Sequence, residues 1–352
     1  MWVSVLGMGE ATVYLRTRAL AGTLVLMMVL STTIISLSVV GESASYDYYP
    51  TGNTADVVTE TTPCLLLAGG SYDVDAAMKW MIDKSGGGDF VVIRCSGEDG
   101  YNDWLYTDIG GVDSVETIVF NTDEACTDKF VLQTIRNAEA LFIAGGNQWN
   151  YVSMWKGTAV EDAIHYVRDK GAPIGGTSAG LAVLGEFAYA AQKGSVDSVA
   201  ALRDPYTPRV TLSRDFLEMP NMEETITDSH FAARDRMGRL VAFLARIVKD
   251  GWSTEAFGIG VDEETALGVE MDGTVTLFSL QTTGSAYFLR TPGIPEVCEP
   301  RTELTYEGIS VYKMSGTATF NIMTWEGIGG TVYTLSAVDG ELQSSQPDGS
   351  VY

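Results

Sequence analysis

The sequence predicts an α/β protein, with a mostly parallel sheet flanked by helices and a β-rich region at its C-terminal end. Three observations predict it. Short apolar runs recur up to residue 174, several of them stopped by paired glycines at 69–70, 145–146 and 175–176. Helix-patterned stretches alternate with those runs, the order that a parallel sheet covered on both faces requires. Beyond about residue 265 the helical pattern gives way to short strand-like runs broken by Gly, Pro and Asp.

The elements follow in order. Cys64-Leu-Leu-Leu-Ala-Gly-Gly70 reads as a buried strand, and Asp75 to Lys84 as a helix packing Ala76, Met78 or Met81, and Trp80. Asp89 to Arg94 and Ser114 to Phe120 supply the next two strands, and Asp128 to Asn137 a helix with Phe130, Val131 and Ile135 on one side. Ala138 to Ala144 is a strand ending at Gly145-Gly146-Asn147-Gln148. The helix Ala159 to Lys170, with the apolar stripe Val160, Ala163, Ile164 and Val167, leads into a strand ending at Ile174. After residue 265, Thr274 to Leu280, Ala286 to Leu289, Gly308 to Met314, Thr317 to Met323 and Thr331 to Leu335 read as strands. Sites in such folds lie at the carboxyl ends of the parallel strands, where the glycine stops fall.

Composition bounds the partners. The 352 residues carry a net charge of −24, which argues against nucleic acid and anionic membrane surfaces. A solubility adaptation accounts for that charge, and attraction of a cationic substrate is the alternative. Arg16 and Arg18 precede the uncharged apolar run Ala19 to Val40, and small residues follow at Ser43 and Ser45. This is the pattern of a secretory signal; the run also reaches the ~20 residues of a membrane span, so an uncleaved anchor is the rival. Either reading exports the domain. The expected organisation is a leader or anchor over 1–45, a linker over 46–62, an α/β domain over 63–280 and a β-rich region over 281–352. Cys64, Cys95, Cys126 and Cys298 show no metal-ligand spacing, and their pairing stays open.

The chemistry centres on Gly176-Thr177-Ser178-Ala179-Gly180, a G-x-S-x-G pattern. An apolar strand enters it and a small-residue helix is expected to leave it from Ala179, the setting of a nucleophile elbow. A serine needs a base, and the chain has 2 histidines. His165 has Glu161 and Asp169 as neighbours on the polar face of its helix, so it reads as solvated. His230 stands where an apolar run hands over to a helix carrying Met237, Leu240, Val241, Leu244 and Val248, and is the expected base. If the order is serine, acid, histidine, the orienting acid lies among Glu186, Asp197, Asp204, Asp215 and Glu218. Asp197 and Asp204 sit in a loop best able to reach a cleft, and Asp197 is the first choice. The backbone N–H groups of Gly146 and Ala179 are the expected oxyanion donors.

Phe142-Ile-Ala-Gly-Gly-Asn-Gln148, Gly176-Thr-Ser-Ala-Gly180 and Asp228-Ser-His-Phe-Ala-Ala-Arg-Asp-Arg-Met-Gly-Arg239 together resemble the cyanophycinase family. Gly258-Ile-Gly-Val-Asp-Glu-Glu-Thr-Ala-Leu267 resembles that family's segment before its final strands. The resemblance covers roughly residues 64 to 280. It implies a class I glutamine-amidotransferase-like fold, Ser178 as nucleophile and His230 as base. It also implies substrate contacts from Gln148, Asp228, Arg234, Arg236 and Arg239. Arginine forks suit the carboxylates of a polymer with an aspartate backbone, and Asp228 suits a guanidinium. Ser229 stands where cyanophycinases commonly carry glutamine, and the family's acid has no unambiguous match.

The function expected is therefore an exported serine peptidase cutting aspartyl peptide or isopeptide bonds, cyanophycin to β-Asp-Arg dipeptides among them. The partner is a peptide or polypeptide, with homodimerisation as a further option; the chemistry calls for no metal or organic cofactor. An α/β-hydrolase-type esterase is the enzymatic rival, although no His-Gly-Gly-Gly segment is present. A catalytically silent binding protein on the same fold is the other.

Overall fold

The computed structural model describes residues 44–352. The leader or anchor expected over residues 1–45 lies outside them, apart from its last two positions.

Along the chain come β1 (Tyr46–Gly52), β2 (Cys64–Ala68), α1 (Asp75–Lys84), β3 (Asp89–Arg94), β4 (Ser114–Phe120), α2 (Lys129–Asn137), β5 (Ala140–Ile143), α3 (Gln148–Trp155), α4 (Ala159–Asp169) and β6 (Ile174–Thr177). The second half carries β7 (Ala188–Tyr189), α5 (Ser198–Arg203), β8 (Leu212–Ser213), β9 (Thr225–Asp228), α6 (Met237–Lys249), β10 (Phe257–Val261), β11 (Thr265–Glu270) and β12 (Thr274–Ser279). It ends with β13 (Ser285–Arg290), β14 (Tyr306–Ser315), β15 (Thr319–Asn321), β16 (Glu326–Ile328), β17 (Thr331–Val338) and β18 (Glu341–Ser344).

A ten-stranded sheet runs β1-β4-β3-β5-β6-β2-β11-β12-β15-β16. Its centre, β4-β3-β5-β6-β2, is parallel, and antiparallel strands extend it on both sides. The parallel core is the expected α/β arrangement, and β2, β3 and β5 are buried on both faces, as their apolar runs require. Each fully buried Leu, Ile or Phe there contributes about 1.5–3 kcal/mol of transfer free energy. Helix α4 packs through the face its periodicity assigns, whereas α1 buries Ala77, Met78, Met81 and Ile82 and leaves Ala76 exposed, and α2 buries Val131 and Ile135 and leaves Phe130 exposed. On α4 the buried residues are Val160, Ala163, Ile164 and Val167. Helix α2 starts where Asp128 accepts hydrogen bonds from Phe130 N and Val131 N, a cap worth about 1 kcal/mol.

A second, six-stranded sheet runs β18-β17-β14-β13-β10-β9. Only β9 and β10 pair in parallel; the others are antiparallel. Helix α6 covers this sheet and is buried along almost its whole length.

Three expectations change. The stretch 46–62 is not a linker throughout, since β1 pairs in register with β4 from Tyr46↔Phe120 to Gly52↔Ser114. Tyr46 and Tyr48, on one face, pack against Phe130, and the Tyr48 hydroxyl donates to Glu116 Oε2 at 2.6 Å. Tyr/Thr/Gly/Asp composition hides this alternation. The boundary at 280/281 separates nothing, because β13 pairs with β10 and β15 pairs with β12, so the C-terminal strands belong to both sheets. Finally, the elbow is followed by a single tight turn, Leu181–Val183, and not by a longer helix. The backbone must come back at once to place Phe187 beside Ile226 of β9.

Candidate active site

The site forms where the carboxyl ends of two parallel strand pairs meet. In the large sheet β2 and β6 run side by side with Ala68 opposite Thr177, so Gly69-Gly70 emerges next to Ser178. In the second sheet β9 and β10 run side by side with Asp228 opposite Gly260, so His230 and Glu263 emerge next to each other. Gly69-Gly70 joins the two ends. Ala68 O accepts from Ser178 N at 3.0 Å, Gly69 O from His230 N at 2.7 Å and Gly70 O from Glu264 N at 2.9 Å.

Gly70 could be no other residue. Its φ is +95°, and an added Cβ would stand 2.6 Å from both Cε1 and Nε2 of His230 and 3.0 Å from Ser178 Cβ. At the elbow the constraint is the sheet, since a Cβ on Gly180 would lie 1.9 Å from Ile143 O. Ser178 and His230 both hold positive φ angles, +54° and +46°. Such conformations cost non-glycine residues about 1–3 kcal/mol each and persist only when surrounding structure enforces them.

The side chains meet in a chain of hydrogen bonds. Ser178 Oγ lies 2.7 Å from His230 Nε2, and His230 Nδ1 lies 2.6 Å from Glu263 Oε1. Nδ1 therefore donates to the carboxylate and Nε2 is left to accept from the serine, the tautomer a base needs. Burial pulls the His230 pKa below the ordinary 6.5, Glu263 opposes that shift, and Arg234 and Arg236 reinforce it.

Glu263 stands where Asp197 was expected. Asp197 instead caps α5, accepting from Ala200 N at 2.8 Å. Asp204 accepts from Tyr206 N and Arg301 N, each at 3.0 Å. Both loop aspartates are spent on backbone donors. Glu263 follows the histidine in the chain, so a search confined to residues between serine and histidine had to miss it. A signal was present: the carboxylates Asp262-Glu263-Glu264 directly follow the strand Phe257–Val261, and His230 comes two residues after the strand Thr225–Asp228. His165 lies elsewhere, its Nε2 3.1 Å from Phe216 O.

A cavity of about 370 Å³ opens in front of Ser178, lined among others by Gly146, Gln148, Asp228, Arg234, Arg236 and Arg239. The N–H groups of Gly146 and Ala179 have no acceptor among the described residues. Gln148, at the start of α3, donates from Nε2 to Tyr189 O at 3.2 Å.

The charged residues divide into two roles. Asp228 is 2% exposed and receives Arg239 through both arms, Nε to Oδ2 at 2.7 Å and Nη2 to Oδ1 at 2.5 Å. Arg239 Nη1 donates to Ser195 Oγ and Val196 O, and its guanidinium lies 5.1 Å from the Tyr189 ring centre. Arg236 adds a longer contact to Asp228 Oδ1 at 3.4 Å and donates to Ser229 O at 2.8 Å. Burial lowers its pKa to about 10, so it stays charged at neutral pH. Asp228 is thus already neutralised by protein arginines, and the expectation that it receives a substrate guanidinium is corrected. Arg234 differs, with a side chain 52% exposed and, among the described residues, only Glu263 Oε1 near it, at 3.6 Å. The cavity therefore has an excess of positive charge within a chain of net charge −24. A larger cavity, about 740 Å³, lies against Phe288, Tyr312, Phe320 and Trp325 in the C-terminal strands. Its only carboxylate is Glu326, with no histidine, lysine or arginine along its walls, so volume does not locate the chemistry here.

Comparison with known proteins places the chain beside peptidases. Peptidase family S51 matches residues 108–204, a span that includes Ser178 and the Gly146 turn. The chain is 30% identical over 164 residues to a cyanophycinase of Trichormus variabilis, covering 46% of this chain and 50% of that protein. It is 28% identical over 176 residues to a cyanophycinase of Synechococcus elongatus, covering 50% and 49%. The chain thus spans about half the length of the curated relatives it matches. A crystal structure of a peptidase from an acI-B1 actinobacterium superposes with a TM-score of 0.45 at 14% identity, covering 81% of this chain and 98% of that one. A TM-score that low carries no argument. The resemblance drawn from the motifs is borne out by the sequence matches.

Proposed function

We propose that this cyanophycinase-like chain is an exported serine-type peptidase that hydrolyses peptide or isopeptide bonds at aspartyl residues. The observation that carries the reading is the Ser178–His230–Glu263 hydrogen-bond chain, at 2.7 and 2.6 Å, opening into an arginine-lined cavity. Export rests on the leader-like sequence before residue 46.

Ser178 Oγ attacks the scissile carbonyl as His230 Nε2 takes its proton, and Glu263 holds the imidazole in register and stabilises the imidazolium. The free N–H groups of Gly146 and Ala179 receive the oxyanion; one such donor is worth about 2.7–4 kcal/mol in the transition state. His230 then protonates the leaving amine, and water, activated by the same base, hydrolyses the acyl-enzyme. Arg234 and the unused donors of Arg236 meet the substrate carboxylates. Cyanophycin is the polymer that the similarity to the cyanophycinases favours.

The test uses the purified full-length chain. A serine-reactive phosphonate should label Ser178, located by peptide mass spectrometry, and cyanophycin should release β-Asp-Arg. Labelling without turnover of cyanophycin would leave the hydrolase and remove the substrate; absence of labelling would favour a silent binding protein. Higher turnover of simple esters than of aspartyl peptides would favour the esterase.

The acid limb of the pH profile follows from burial. Only neutral His230 can accept the serine proton, and burial disfavours its charged form, so the limb is displaced to lower pH. The acid-side midpoint of kcat/KM should fall below 6.5. A midpoint above that value would mean that Glu263 outweighs burial in the free enzyme.

A further inference from the structure

Glu263 serves an imidazole and a guanidinium through one atom. Its Oε1 lies 2.6 Å from His230 Nδ1 and 3.6 Å from Arg234 Nε. Imidazole and guanidinium therefore draw on the same carboxylate oxygen. The charged groups facing His230 are Glu263, from the turn after β10, and Arg234 and Arg236, from its own loop. Ser178 contributes a hydroxyl, and Gly69 and Gly70 contribute backbone alone. Of the two arginines, Arg236 is held by Ser229 and Asp228 and cannot turn away. Arg234 has no other side-chain partner among the described residues, is half exposed, and lines the cavity beside Ser178. A carboxylate entering that cavity can therefore take its guanidinium.

We propose that Arg234 is a positioning residue that couples substrate binding to the catalytic pair. In the empty enzyme its positive charge, 3.6 Å from the Glu263 oxygen that His230 also uses, opposes that carboxylate's pull on the imidazole, and a substrate carboxylate that captures the guanidinium relieves this opposition. The inference rests on the peptidase reading above and adds a selection step to it. A substrate without a carboxylate at this position leaves His230 the weaker base, so it loses kcat as well as affinity. The direction agrees with the Arg234 charge being among the influences that hold His230 below its ordinary value.

The experiment follows the His230 imidazole by proton NMR in the full chain. His165 is the other of the 2 histidines and serves as the internal reference. Arg234→Gln should raise the His230 midpoint by about half a pH unit, since a unit charge at this range and partial exposure is worth that much. His165 should not move. L-Aspartate, the probe, should raise the wild-type midpoint by a similar amount and add nothing to Arg234→Gln. An unchanged or lowered midpoint in Arg234→Gln would overturn the coupling. So would an equal response to aspartate in both proteins, because the probe would then act on His230 directly. An uncharged phosphonate, used at pH 8, should label Ser178 about two- to threefold faster in Arg234→Gln than in wild type, as expected of a stronger base. If neither protein is labelled, the peptidase reading fails, and the NMR titration still decides the coupling by itself.

Discussion

Replacing Ser178 by Ala lowers kcat by roughly 10⁴- to 10⁶-fold, the loss seen when the nucleophile of a serine–histidine–acid unit is removed. KM changes little, because the arginines and the Gly146 turn proposed to bind substrate remain. A steady-state assay on an aspartyl peptide checks it; a loss of less than tenfold would place the nucleophile elsewhere. The same site predicts a stability gain. Ser178 holds φ at +54°, so Ser178→Gly should be equally inactive yet about 1 kcal/mol more stable in urea than Ser178→Ala. The acid is separated from its rival in the same assay. Glu263→Gln removes the carboxylate from His230 Nδ1 and should cost roughly 10²- to 10⁴-fold in kcat. Asp197→Asn should leave kcat unchanged, since asparagine caps a helix about as well as aspartate. The reverse ranking of these two variants would return the acid to the loop.

Replacing Asp228 by Ala destabilises the fold by about 3–5 kcal/mol, the usual cost of stripping the partner from a buried charge. Arg239 is 2% exposed and would keep its guanidinium against Tyr189 and Phe243 with no carboxylate beneath it. Equilibrium urea unfolding reads the loss. Asp228→Leu combined with Arg239→Met should recover most of it, because removing both charges also removes both desolvation penalties. A cost below about 1 kcal/mol for Asp228→Ala would mean that water reaches Arg239, and would reopen Asp228 as a substrate contact. Activity should fall in every one of these variants. Asp228 ends β9 two residues before His230, and its Oδ1 also accepts from Ser229 N at 2.9 Å.

Much of the site was legible because its signals are local. The elbow needs glycines around one serine at a strand end, and Gly176-Thr-Ser-Ala-Gly180 supplies them within five consecutive positions. With 2 histidines in the chain, one on the charged face of α4, His230 followed by elimination. Strands β2, β3 and β5 of the parallel core announced themselves as apolar runs, since a strand buried on both faces has no polar side to alternate. The N-terminal strand did not, because an edge strand built of tyrosine, threonine and glycine resembles a loop in composition. Its pairing partner β4 lies far along the chain, so only the ladder reveals it.

The amino-acid sequence by itself pointed to the α/β class and to Ser178 and His230 as the candidate pair, each from a pattern of neighbouring residues. Only the tertiary structure placed Glu263 against His230, buried Asp228 and gave the C-terminal strands their place in the sheets. The chain has 46 acidic residues, and a carboxylate that orients an imidazole looks in one dimension like one that faces water. What distinguishes Glu263 is the parallel pairing of β9 with β10, which brings two strand ends side by side. That pairing belongs to a sheet completed by strands after residue 280, so the catalytic geometry is held by residues that carry no chemistry themselves.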